Sequence, residues 1–326
     1  MKKVVFLALF SAMLLSACTV LQPFSFERLQ AADVSFPEQV KRIGIINHMS
    51  AFDWNDESVN YASDVLGGDG KIATEALAQG IASTGYFAQV VICDSALRVG
   101  TMEEDRFISG EKADSLMEAL DVDLLIAMES VRIQLKESTM FLYDAMMDVP
   151  AMDGAVSSLA RVYAPGRKAP LYAIVKSDTI CWELTPELTY SQMIKDASGH
   201  AASLAVSSLI PHWEESQRYY FDRGGTMMRD AGVYVREQNW EEAAGLWQKL
   251  YDSRKGKTRM QAAYNLALYY ELQNDLDRAL AYLDTAASLV KEGSWNARLV
   301  KHYQLQLDKL VKQSQRLNLQ MKRFEP

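Results

Sequence analysis

"KIATEALAQGIASTGYFAQVVICD", Lys71 to Asp94, changes its period partway along. Ile72, Ala73, Ala76, Leu77, Gly80 and Ile81 recur three and four residues apart, which predicts an amphipathic helix over 71–84 that Gly85 terminates. Val90 to Cys93 is then a short apolar run bounded by Asp94, the pattern of a buried strand. Ile43 to Ile46, ahead of the helix, is a run of the same kind. Beyond it the chain reads as a helix over 111–120 and a strand over 122–135. Two more strands, 156–163 and 171–184, flank the reversal "APGRKAP" (Ala164–Pro170), and a helix follows over 190–209. The order β-α-β-α-β-β-β-α predicts a mixed sheet with helices packed on it, an α/β domain over 38–213.

Pro211 ends that pattern, and from Trp213 the composition turns helical. The expected class is therefore α+β and all-α: a mixed-sheet domain followed by a helical repeat domain over 214–326. Tetratricopeptide repeats place W-x2-L-G-x2-Y and then A-x3-F at a period of about 34 residues. Leu266, Ala267, Tyr270, Ala279, Leu283 and Ala286 fit that frame. Ala231, Tyr234, Ala243 and Trp247 form a weaker preceding unit, with Asp230 at its leucine position. Two such units bury little by themselves, so the stripe Val300, Tyr303, Leu307, Leu310, Leu317, Met321 and Phe324 is expected on a capping helix.

The first 17 residues have the three parts of an export signal: Lys2 and Lys3, an apolar core over 4–15, then small residues. The core is shorter than the roughly 20 residues that span a bilayer. Leu15-Ser16-Ala17-Cys18 resembles the lipobox of bacterial lipoproteins, which implies a diacylglycerol thioether on Cys18. By the same resemblance, Thr19 in place of aspartate implies the outer membrane, and the lack of an acidic run after Cys18 implies its periplasmic face. A flexible tether over 18–37 would join lipid to fold.

The net charge is −8, and −10 once Lys2 and Lys3 are removed. Such a surface repels phosphate polymers, so nucleic acid is not an expected partner. Cys93 and Cys181 both fall in strand-like runs and read as buried free thiols, with a bridge between them, which an oxidising compartment permits, as the alternative. "GGDGK" (Gly67–Lys71) lacks the glycine and hydroxyl of a phosphate loop and reads as a mobile loop before a helix. His48, His200, His212 and His302 have no metal-ligand spacing, and there is no G-x-S-x-G elbow. No catalytic, cofactor or metal residue is therefore assigned, although a dispersed carboxylate pair stays open.

Two stretches suit recognition. "IPHWEESQRYYFDRG" gathers His212, Trp213, Arg218, Tyr219 and Tyr220, residue types that dominate binding hot spots. Their structural alternative is a wedge in which the rings are buried and Arg218 pairs with an acid. "MFLYDAMMDVPAM" (Met140–Met152) is rich in methionine, which suits an adaptable surface, and is expected as a loop folded back on its core. The element order resembles small periplasmic α/β modules of envelope lipoproteins, including curli-secretion-channel-like and penicillin-binding-protein-activator-like domains. On "VSFPEQVKRIGIINH", "LIPHWEESQRYY" and "AAYNLALYYEL" the chain resembles an uncharacterised family of Bacteroidetes lipoproteins with a domain of unknown function and tetratricopeptide-like repeats.

The leading expectation is a non-enzymatic, lipid-anchored interaction or assembly factor with protein partners in the cell envelope. An envelope hydrolase and a secretion-channel component are the alternatives. A lipoprotein will show Cys18 acylated and amino-terminal by mass spectrometry, and Cys18→Ala will leave the membrane fraction.

Overall fold

Ile43, Ile45 and Ile46 are all fully buried because their strand, β2 (Arg42–Asn47), has helices over both faces. Gly44 between them leaves room for Leu120, Val122 and Leu125, which a Cβ would meet at 3.1–3.3 Å. The computed structural model describes residues 21–50, 60–61, 65–98 and 107–324. They belong to two units, a sheet unit of Ala31–His212 with Arg316–Pro326, and a helical unit of Met1–Gln30 with Trp213–Gln315.

In the sheet unit β2 runs parallel to β4 (Gln89–Cys93) and to β5 (Leu124–Leu142), with Ile45 opposite Ile92 and Ile126. β5, β6 (Met147–Tyr163) and β7 (Tyr172–Glu183) form an antiparallel meander, giving the order β4-β2-β5-β6-β7. The two-residue β3 (Leu66–Gly67) pairs with β5 off this path. Ile43, Ile45 and Ile126 share one core with α1 (Gly70–Ala82) and α3 (Tyr190–Ser203). Ile46, Leu125 and Ala127 share another with α2 (Gly110–Leu120). Asp69, Ser109 and Thr189 cap the three helices with their side chains. A short α4 (Val206–Leu209) closes the unit.

The helical unit contains a two-stranded sheet, β1 (Leu21–Gln30) with β8 (His212–Phe221, of which His212 belongs to the sheet unit). Four helices follow, α5 (Thr226–Arg236), α6 (Trp240–Ser253), α7 (Gly256–Leu272) and α8 (Leu276–Ser288). The long α9 (Trp295–Met321) comes last, with its residues from Arg316 onward belonging to the sheet unit. α7 is buried almost without a break from Met260 to Leu268, so it is the central helix. Around it pack Ala231, Ala243, Trp247, Ala279, Leu283, Ala286 and Tyr303. No described helix is long and apolar enough to cross a membrane.

The mixed sheet and the helical region match the expected class, and local expectations fail where tertiary pairing intervenes. Residues 21–30, expected in a flexible tether, form β1, and the stretch after Pro211, expected as helix, is strand β8. The helix over 190–209 is broken at Leu204–Ala205. "GGDGK" is packed rather than mobile: a Cβ on Gly68 would meet Val131 at 2.7 Å, and one on Gly70 would meet Asn47 at 2.7 Å. Cys93 is half-buried and Cys181 exposed, so neither is a buried thiol, and both are free. The stripe on α9 buries Val300, Tyr303 and Leu307, but past Gln315 the buried residue is Gln320, not Leu317 or Met321. The Gln320 amide accepts the Ala32 N–H at 3.0 Å and donates to the carbonyls of Ala32 and Val34, which places 31–34 in the sheet unit.

Leu283→Ala will lower the unfolding free energy by about 2–5 kcal/mol, whereas Leu305→Ala, exposed on α9, will change it by less than about 0.5 kcal/mol. Urea unfolding followed by circular dichroism reads both.

Candidate functional site

The sheet brings together four polar side chains from three segments of the chain: His48, Glu129, and Arg161 and Tyr163 of β6. β5 carries a bulge between Met128 and Ser130, and the extra residue is Glu129. A bulge bends the strand and re-aims one side chain; here the carboxylate is buried, with the residue 2% exposed. His48, just past the carboxyl end of β2, places Nδ1 2.7 Å from Glu129 Oε2. The Tyr163 hydroxyl donates to Glu129 Oε1 at 2.7 Å and accepts the Ile108 N–H at 3.1 Å. Arg161 Nη1 stands 3.7 Å from Oε2. Burial first, and then the carboxylate, hold the Tyr163 phenol well above its ordinary pKa, so it serves as a donor.

The location fits a functional site: ligands of open α/β sheets bind beyond the carboxyl ends of the parallel strands. The space does not. The cavity beside Glu129, with Met49, Ser50, Arg98 and Arg132 in its walls, holds about 10 Å³, room for roughly one water. The histidine and the phenol each bond the acid, and this network fixes the bulge. The segments 51–59 and 99–106, which adjoin this end of the sheet in sequence, lie outside the described residues. Among the described residues no cluster of histidine, cysteine or carboxylate side chains could hold a metal ion. Glu129→Ala will lower stability by about 3–5 kcal/mol by stranding its buried partners. Glu129→Gln, which keeps the shape, will lower it by about 1–3 kcal/mol; urea midpoints separate the two.

The other exposed feature of this unit is the β5–β6 hairpin. β6 pairs with β7 as far as Ala151–Glu183, with one further bond from the Leu184 N–H to the Pro150 carbonyl, so Met140–Val149 is a free two-stranded ribbon. This corrects the expectation of a loop folded back on its core, because cross-strand pairing continues to Leu142–Met147. Phe141, Tyr143, Met146 and Met147 at the tip are 43%, 81%, 74% and 53% exposed. Met146 holds φ of 51°, a left-handed conformation that costs a side chain about 1 kcal/mol. An open groove of about 520 Å³ lies on the same meander, with Arg132, Gln134, Ser157, Ser177 and Thr179 among its walls.

The residues picked from the sequence as an interface do not form one patch. β8 alternates, turning Arg218 and Tyr220 inward and Trp213 and Tyr219 outward, with His212 half-buried. Trp213 is 67% exposed, so the expected burial of its ring fails, while the expected acid for Arg218 is present. Arg218 grips Glu271 in bidentate fashion, Nε to Oε2 at 3.0 Å and Nη2 to Oε1 at 2.8 Å. Tyr303 donates to the same carboxylate at 2.6 Å and Arg28 at 3.2 Å. Of the repeat-signature residues, Ala231, Ala243, Trp247, Leu266, Ala267, Ala279, Leu283 and Ala286 are buried, and Tyr234 and Tyr270 are half-buried. Cys18 lies outside the described residues.

Sequence reading missed the Glu129 and Glu271 networks because their members lie 32 to 243 residues apart. The signal present was a lone acid inside an apolar element, "LLIAMES" for Glu129 and "NLALYYEL" for Glu271.

No curated protein matches the chain. Residues 229–309 match a domain of unknown function, DUF6340, which spans α5–α8 and the first half of α9. Residues 40–221, from the approach to β2 to the last residue of β8, match a second domain of unknown function, and by that match the chain belongs to the DUF8603 family.

Proposed function

We propose that the protein is a lipid-anchored interaction or assembly factor of a Bacteroidetes outer membrane, facing the periplasm through Cys18, non-enzymatic, and binding partner proteins through both of its units. The observation that carries this reading is the free β5–β6 ribbon with Phe141, Tyr143, Met146 and Met147 at its tip. Exposed apolar and aromatic residues gathered on one projecting element are the usual anchors of a protein interface. The strained backbone of Met146 points the same way, since a tip needed only for the turn would carry glycine there.

The helical unit supports the reading as a tetratricopeptide-like array. Its small signature residues are buried where neighbouring helices approach, and stacking of such pairs builds surfaces for extended partners. The hydrolase alternative gains a histidine and a carboxylate in contact, but the cavity that Glu129 lines is of water size. A membrane-channel hairpin needs about 9–11 residues per strand, more than the free ribbon of Met140–Leu142 and Met147–Val149 supplies.

A photo-crosslinking amino acid at Tyr143 tests the proposal in cells, with one at exposed Glu187 as the comparison. Discrete adducts with envelope proteins are expected from position 143 and not from 187, and they will be lost in Cys18→Ala. Adducts that are the same from both positions, or that persist when Phe141, Met146 and Met147 are changed to serine, would sink it.

A further inference from the structure

β7 ends the sheet path on the side away from β6, and among the described residues no strand pairs with its outer edge. It is 12 residues long and contains no proline, against a usual strand of about 5–6 residues. Long open edges of this kind are normally blunted or covered. Ala173, Val175, Ser177, Thr179, Cys181 and Glu183 are all exposed. The Leu184 N–H donates to the Pro150 carbonyl at 3.0 Å, so even-numbered residues direct their backbone groups at β6. Odd-numbered residues direct theirs outward, where Asp178 Oδ1 takes the Thr179 N–H at 2.8 Å.

We propose that this edge docks a second copy of the chain, with two β7 strands joined antiparallel about a two-fold axis through Ser177. The sequence of β7 is complementary to itself in that register. Lys176 falls opposite Asp178 of the second copy, and the axis repeats the pair. Ile174 falls opposite Ile180, and Tyr172 opposite Trp182, on the same face. On the other face Val175 meets Thr179 and Ala173 meets Cys181. Opposite charges and paired apolar or β-branched side chains are the cross-strand combinations that stabilise a sheet. A slip of two residues either way sets Lys176 against Lys176 or Asp178 against Asp178, so one register is selected. The outward N–H and C=O groups of the odd residues then complete a ladder centred on the Ser177 pair. Isologous pairing of this sort closes with two subunits and leaves no free β7 edge.

Within one chain Lys176 Nζ stands 3.6 Å from Asp33, and His200 Nε2 stands 3.0 Å from Asp178. Exchanging the two charges breaks both of these contacts and preserves only the contact between copies. Full-length protein extracted in detergent, with its molar mass read by light scattering, is expected to be dimeric. Lys176→Asp should weaken the dimer about tenfold or more, and the double variant Lys176→Asp with Asp178→Lys should restore it. Ser177→Cys in a Cys181→Ser background should form a disulfide-linked dimer on mild oxidation, and adding Lys176→Asp should suppress it. A thermal melt of each variant identifies any that unfolds. A monomeric native protein, a dimer indifferent to Lys176→Asp, or a dimer in which Ser177→Cys forms no bridge would each overturn the proposal.

Discussion

Each unit is organised around one buried carboxylate that cannot be left without partners. Glu271 is fully excluded from solvent at the end of α7. An unpaired carboxylate there would cost several kcal/mol, so every element that reaches it must bring a donor. Arg218 comes from β8, Tyr303 from α9 and Arg28 from β1. β1 and β8 are fixed to the helix stack through this carboxylate, and β8 also through Asn265. The Asn265 amide donates to the Phe221 carbonyl at 2.7 Å and accepts the Phe221 N–H at 2.8 Å. A side chain in a helix thus completes the hydrogen bonding of a strand end. Burial drives the Tyr303 phenol well above its ordinary pKa, with Glu271 adding to the shift, which keeps it a donor.

Glu129 does the same in the sheet unit. A β-bulge is an irregularity that a strand tolerates when something holds the extra residue, and His48, Tyr163 and Arg161 hold this one. Sites of this type often serve chemistry, because a carboxylate touching a histidine is where proton transfer begins. Among the described residues the adjoining space has room for about one water, and the network's evident role is to hold the bulge. What the sheet unit exposes instead lies along its antiparallel half, where β5 and β6 continue past their neighbours and β7 has no outer partner among the described residues.

That asymmetry follows from how the sheet is covered. The parallel half has helices over both faces and reads as unbroken apolar runs. The antiparallel half is covered on one face, so its strands alternate, and beyond Ala151 even that cover ends. Strand length therefore sets the exposed surface. A ribbon that outruns its sheet must place apolar residues in water, or against a partner.

Much of this was legible in the sequence. The period change at Lys71–Asp94 located α1 and β4, the run at Ile43–Ile46 located β2, and the alanines of 231–286 marked helices in close contact. Local periodicity determines such elements because each side chain's burial is set by its position on one helix or strand. Residues 21–30 and 212–221 gave no such signal: they are strands only because each supplies the hydrogen bonds of the other, nearly two hundred residues away. The same holds for Glu129 with His48, and for Glu271 with Arg28, whose pairing depends on where the sheet register and the helix stack bring them. The sequence by itself determined which segments are helix or buried strand, the division into sheet and helices, and the acidic surface. The tertiary structure alone decided which polar groups meet and which strand edge, among the described residues, has no partner, because those depend on distances that no local pattern encodes.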